Sequence, residues 1–129
     1  MCDERRVLVV EDTDHIRDLL HDVLTSSGYL VTLAYHGAHG LRLIPTARPC
    51  VILLDLEMPV MNGWEFVHAY RQTPLPHAFI IVMTALPNGA RHAATLQVAG
   101  HVRKPFDLDH LLDLVEHHRR AHAAAAPSG

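Results

Sequence analysis

Lysine is nearly absent from this chain. Of eleven basic side chains ten are arginines, and the single lysine, Lys104, stands in the stretch HVRKPF directly before a proline. A compact ammonium on a flexible stem differs from a planar guanidinium fork, so one lysine at such a position points to a small anion as its partner. Positive charge in general is also short: the formal charge is −3, which excludes the basic face that nucleic-acid binding needs. No apolar run reaches the length of a membrane span, and the acidic start MCDERR is no signal peptide. The two cysteines, Cys2 and Cys50, form no obvious pair, so a reducing cytoplasm is the expected compartment. Aromatic residues are few, yet 49% of the chain is hydrophobic, enough for one well-filled globular domain and too little chain for two. Histidine alone is abundant, with twelve copies, but none stands beside a cysteine at zinc-site spacing. His118 and His122, four apart on an expected helix, read as solvated positions.

Two kinds of segment alternate. Val7–Val10, Val51–Leu54 and Phe79–Met83 are unbroken apolar runs, the mark of strands buried on both faces of a parallel sheet. Tyr29–Ala34 and the brief His101–Arg103 read as two further strands. Ile16, Leu19, Leu20, Val23 and Leu24 recur at helical spacing until Gly28. A second helix is expected from Gly37 to about Ile44, cut short by Pro45. Trp64, Val67 and Tyr70 line a third, ending before Pro74; Asn88–Val98 is a fourth; Leu108, Leu111, Leu112 and Val115 line a fifth, capped by Asp107. Strict alternation of five strands and five helices predicts a (βα)5 doubly wound, three-layer α/β sandwich. Its five-stranded parallel sheet is expected in the order 2-1-3-4-5, the flavodoxin-like arrangement. The domain is expected over residues 1–119, with a flexible alanine-rich tail over 120–129.

Ligands of such folds collect at the carboxyl ends of the strands. There the first polar residues are Glu11 and Asp12 after strand one, Asp55 after strand three, Thr84 after strand four and Lys104 after strand five. Three close carboxylates repel unless a cation sits among them. An open oxygen site of this kind suits Mg²⁺, which takes one or two carboxylates and keeps several waters; Mn²⁺ would substitute. Asp55 is left as a carboxylate nucleophile able to form an acyl phosphate, with Lys104 and Thr84 supplying a charge and a donor to the phosphoryl oxygens.

These motifs resemble the response-regulator receiver domain of two-component signalling, CheY-like in size and order. The matching stretches are VLVVED, DLEMPVMNG from Asp55 to Gly63, Thr84-Ala85 and Lys104-Pro105-Phe106, which together span Val7 to Val115. The resemblance implies that Asp55 is the phosphoacceptor. It implies Mg²⁺ ligation by Asp12 and Asp55, by Glu11 through water, and by the main-chain carbonyl of Glu57. It also implies that Thr84 and the Ala85 amide bind the phosphoryl group, and that the Lys104–Pro105 bond is cis. A histidine kinase or phosphotransfer protein would be the donor. A downstream protein would read the face formed by helix 4, strand 5 and helix 5. No enzyme activity is implied beyond the domain's own phosphorylation and dephosphorylation.

The chain departs from the pattern in two places. His101 stands where receivers usually carry an aromatic switch residue, and imidazole, unlike phenol, can change charge near neutral pH. The segment from Thr84 to Lys104 is also a couple of residues short. A degenerate receiver that binds partners without phosphorylation is the alternative. A haloacid-dehalogenase-type hydrolase would need its nucleophile on strand one and a cap domain, and an FMN-binding flavodoxin would need a phosphate loop where EDTD stands.

Overall fold

The computed structural model describes residues 5–58, 61–74 and 77–125, with only the backbone of 123–125; Cys2, Pro59 and 126–129 lie outside the described residues. Among the described residues ten elements alternate: β1 (Arg6–Val10), α1 (Asp14–Ser26), β2 (Leu30–Ala34), α2 (Gly37–Ala47), β3 (Val51–Asp55), α3 (Gly63–Arg71), β4 (Phe79–Thr84), α4 (Gly89–Leu96), β5 (Gly100–Arg103) and α5 (Leu108–Ala125). All neighbouring strands pair in parallel, in the order β2-β1-β3-β4-β5. The chain therefore reverses its direction of travel across the sheet between β1 and β3, where Val10 lies beside Leu54.

The apolar runs work as two interleaved sets, because successive side chains on a strand point to opposite faces. Leu8, Val10, Ile52, Leu54, Ile80 and Val82 face one way and pack against α2, α3 and α4 through Ile44, Phe66, Val67, Tyr70, Ala93 and Leu96. Val7, Val9, Val51, Leu53, Ile81 and Met83 face the other way, onto Leu20 and Leu24 of α1 and Leu111 and Val115 of α5. β3 is buried at every residue. A strand covered on both sides has no polar alternation, which is why it reads as a continuous apolar run. α5 is tied to the body by polar contacts as well. The Tyr29 hydroxyl donates to the Glu116 carboxylate, which also accepts from Arg119 (2.6 and 3.0 Å) and from Arg120 (2.9 Å).

Four local expectations need correction. α2 does not stop before Pro45 but runs through it to Ala47 and ends on Arg48 in the left-handed region. Proline in the last turn costs one ladder bond only, and the Arg48 amide still donates to the Ile44 carbonyl (2.9 Å). On α1 the buried face is Arg17, Leu20 and Leu24, while Leu19 is 44% exposed. α5 continues to Ala125, so residues 120–125 extend the helix, as alanine's helix propensity favours. His118 and His122 are not simply solvated: both rings pack on Phe79, at 5.5 and 5.7 Å between centroids. Asp107 does cap α5, its carboxylate accepting from the amides of Asp109 (3.0 Å) and His110 (3.3 Å).

Candidate functional site

Five of the side chains singled out by the sequence meet where the chain leaves the carboxyl ends of β1, β3, β4 and β5. Glu11 follows β1 and is fully buried, its amide donating to the Ala34 carbonyl (3.1 Å). Asp55 closes β3 and Thr84 closes β4, each 1% exposed. Lys104 follows β5 and is pinned by its own backbone, with its amide donating to the Thr84 carbonyl at 2.9 Å. Its peptide bond to Pro105 is cis.

The ammonium of Lys104 lies 3.0 and 3.1 Å from the two oxygens of Glu11 and 3.3 Å from Asp55 Oδ2. One oxygen each of Glu11, Asp12 and Asp55 falls within a mutual 4.8 Å, the one such group of potential metal ligands among the described residues. Burial, then the neighbouring Glu11 charge, pushes the Asp55 carboxyl well above the usual carboxylate range; Lys104 and the Glu57 amide pull the other way. For Lys104, burial alone would depress the ammonium, but Asp55 and Glu11 overcome it and raise its pKa. These side chains suit a hard divalent cation. The donor set is all oxygen, Asp12 is the most accessible of the three acids, and a buried carboxylate pair carries more negative charge than one lysine offsets.

The residues beyond Asp55 do more than the sequence foretold. The Glu57 amide donates to Asp55 Oδ1 (3.1 Å), and its side chain turns toward the end of β4. There Glu57 Oε1 accepts from the Thr84 hydroxyl (2.9 Å) and from the Ala85 amide (3.1 Å). The Leu86 amide in turn donates to Thr84 Oγ1 (2.9 Å), so the hydroxyl both gives its proton and accepts one. α3 begins at once beyond this loop with a reciprocal cap, Asn62 Oδ1 accepting from the Glu65 amide (2.9 Å) and Glu65 Oε1 from the Asn62 amide (3.1 Å). Gly63 is required here by space: a Cβ would lie 2.6 Å from Leu56 Cδ2 and 2.8 Å from Leu56 Cα.

Arg17 is the functional-site neighbour that sequence reasoning missed. Only 7% exposed, it donates to the Glu11 carbonyl (3.0 Å), pairs with Asp14 and covers the Tyr35 ring at 4.4 Å. It thereby braces the loop that presents Glu11 and Asp12. The available signal was its spacing, since Arg17, Leu20 and Leu24 share one helical face. His101 is half-buried, its ring close against Gly89 on a cavity of about 260 Å³ lined also by Thr84, Leu86, Asn88 and Arg103. α4 is brief, entered at Asn88 (φ 64°) and left at Gln97 (φ 56°), both left-handed.

This fold recurs in known proteins. The family described as the response regulator receiver domain matches residues 7–116. The chain belongs to that family. As a receiver domain it is the part of a response regulator that serves in two-component signalling. It is 36% identical over 111 residues to the response regulator MprA of Mycobacterium ulcerans (strain Agy99), covering 83% of this chain and 47% of the relative. A Mycobacterium sp. (strain KMS) MprA is 37% identical over the same length. The chain thus spans about half the length of the curated relatives it matches. Among solved structures, the receiver domain superposes on Vibrio cholerae chemotaxis protein CheY4 with a TM-score of 0.72 at 33% identity, covering 86% of this chain and 95% of that one. The Francisella response regulator 1452 receiver domain gives 0.81 at 25% identity, covering 89% and 96%. No helix among the described residues is long and apolar enough to cross a membrane.

Proposed function

We propose that this receiver domain accepts a phosphoryl group on Asp55 from a histidine kinase or phosphotransfer protein and changes its partner binding in response. One observation carries the reading. A carboxylate at the end of the central strand is nearly sealed from solvent, yet 3.3 Å from the chain's only lysine and within reach of two further acids. Such an arrangement is costly to fold around and useful for placing one anionic oxygen against phosphorus.

An Asp55 carboxylate oxygen attacks phosphorus, the phosphorus bond to the donor's leaving atom breaks, and an acyl phosphate remains. Asp12 and Asp55, with Glu11 through water and the Glu57 carbonyl, would hold Mg²⁺, or Mn²⁺ in its stead. The ion, when bound, supplies positive charge to the phosphoryl oxygens and offsets the acids. Lys104 holds Glu11 and Asp55 in register beforehand and offers its ammonium to a phosphoryl oxygen afterwards. Thr84 and the Ala85 amide supply the opposite donors, beside His101. Hydrolysis of the acyl phosphate at the same site returns the starting carboxylate, and the domain turns over no other substrate. The output face would be α4, β5 and α5, since Thr84 and Lys104 are joined to its edge through backbone, and the setting would be the cytoplasm.

Acetyl phosphate with Mg²⁺ should add one phosphoryl group to wild type and none to Asp55→Asn, as read by intact-protein mass spectrometry. Equal labelling of the variant overturns the assignment.

A further inference from the structure

We infer that Glu57 is an internal substitute for the phosphoryl group, a positioning residue whose carboxylate holds the two donors that a phosphoryl oxygen must take over. The inference rests on the function proposed above and adds a residue that governs how readily Asp55 is modified.

The argument is one of counting. A threonine hydroxyl has one proton to give, and a backbone amide has one. The Thr84 proton goes to Glu57 Oε1 at 2.9 Å, and the Ala85 proton goes to the same oxygen at 3.1 Å. Thr84 Oγ1 also accepts from the Leu86 amide, which fixes the hydroxyl's direction. Both donors are therefore spent on an anionic oxygen before any phosphoryl group arrives. Thr84 is 1% exposed, so its hydroxyl cannot turn to bulk water once Glu57 leaves. Glu57 itself is exposed at its outer side and can swing into solvent.

Phosphorylation is then an exchange: one carboxylate oxygen leaves the donor pair and one phosphoryl oxygen enters. The hydrogen bonds that would otherwise reward the modified state are already present in the unmodified one. The same residue's amide holds Asp55 Oδ1, so acceptor and donors are linked through a single residue. Two effects follow. The β4–α4 loop is held in place ahead of modification, and the Glu57 charge opposes the approach of an anionic donor.

Three proteins test this: wild type, Glu57→Gln, which keeps an acceptor oxygen without the charge, and Glu57→Ala, which removes both. In the unphosphorylated proteins, the Ala85 amide proton should move upfield in Glu57→Ala and by less in Glu57→Gln, by ¹⁵N-resolved NMR. Labelling by acetyl phosphate with Mg²⁺ should be faster in both variants, by about ten-fold or more in Glu57→Ala, the size of one hydrogen bond to a charged group. An unmoved Ala85 resonance in Glu57→Ala overturns the inference, since the contact is then absent in solution. So does a moved resonance with unchanged labelling rates, since the contact then hinders nothing. If wild type and both variants all fail to label, the phosphoacceptor reading fails and this inference with it, a result distinct from equal rates.

Discussion

Replacing Asp55 by asparagine should stabilise the protein when divalent cations are chelated. At an effective dielectric of about 20, the 3.3 Å pair with Lys104 is worth roughly 5 kcal/mol of attraction, and a Glu11 oxygen within 4.8 Å contributes about 3.5 kcal/mol or more of repulsion. The repulsion offsets most of the attraction, leaving at most about 1.5 kcal/mol in favour of the pair. What remains is the cost of holding an acid where burial disfavours its charged form, whether it stays ionised or takes up a proton, and that decides the sign. Asparagine keeps an oxygen for the Glu57 amide and can donate to Glu11. The expected gain, after relaxation of the site, is about 1–2 kcal/mol, or roughly 3–8 °C in melting temperature for a domain of this size. Circular dichroism melts of wild type and Asp55→Asn in EDTA and in millimolar Mg²⁺ measure it. Mg²⁺ should raise the wild-type midpoint and move the variant far less. A variant that melts at or below wild type in EDTA refutes the reasoning, because the lysine would then outweigh the burial cost.

Tyr29→Phe should cost about 1–2 kcal/mol at neutral pH through loss of a hydrogen bond to a charged acceptor. Hydrogen bonds from Arg119 and from Tyr29 hold the Glu116 carboxyl down at about 2. Because the folded value lies below the unfolded one, this stabilisation is present above about pH 4.5 and is lost as pH falls toward 2. The gap between wild-type and Tyr29→Phe urea midpoints should therefore narrow over that window, and a constant gap would count against the network. Gly63→Ala should destabilise by about 1–3 kcal/mol, since the added methyl meets the Leu56 backbone, which cannot step aside; an unchanged urea midpoint would contradict this. Lys104→Ala leaves the buried Glu11 carboxylate without its ammonium, so it should lower stability by about 3 kcal/mol in EDTA and recover much of that in Mg²⁺. The same variant should still label at Asp55 yet lose the NMR shifts that labelling induces elsewhere; wild-type shifts would show that the lysine is not the coupler.

The strands and their polar ends were legible because burial on both faces leaves a strand no other composition than Val51–Leu54 has. The first polar residue after such a run then has to sit at the sheet edge. Helix faces were less legible. On α1 the hydrophobic residues span more than one face, and Leu19 rather than Leu20 was free to be outside once Arg17 took the inner position beneath Tyr35. Pro45 looked like a stop because proline breaks helix interiors, but a last turn is not an interior. The role of the Glu57 side chain was illegible for a different reason. Its partners lie 27 and 28 positions away, and only the β3–β4 pairing, Asp55 beside Met83, brings the loop to them. The Asn62–Glu65 cap could have been read from N-x-x-E alone.

The eight residues of α4 amount to about two turns, and both its ends are left-handed at residues other than glycine. Isolated helices of that length do not hold themselves together in water, and each left-handed non-glycine residue withholds roughly 1–2 kcal/mol more. What fastens α4 to the sheet is chiefly Ala93 and Leu96, a small apolar footing beside the leucines and valines under α1 and α5. The local opening free energy is therefore low here, and its amides should exchange with deuterium well before those of β3 or α1. A binding partner at this face would meet a segment that it has to order, and would bear the entropic cost of doing so. Affinity there would be set by how much of α4's conformational entropy has already been removed when the partner arrives.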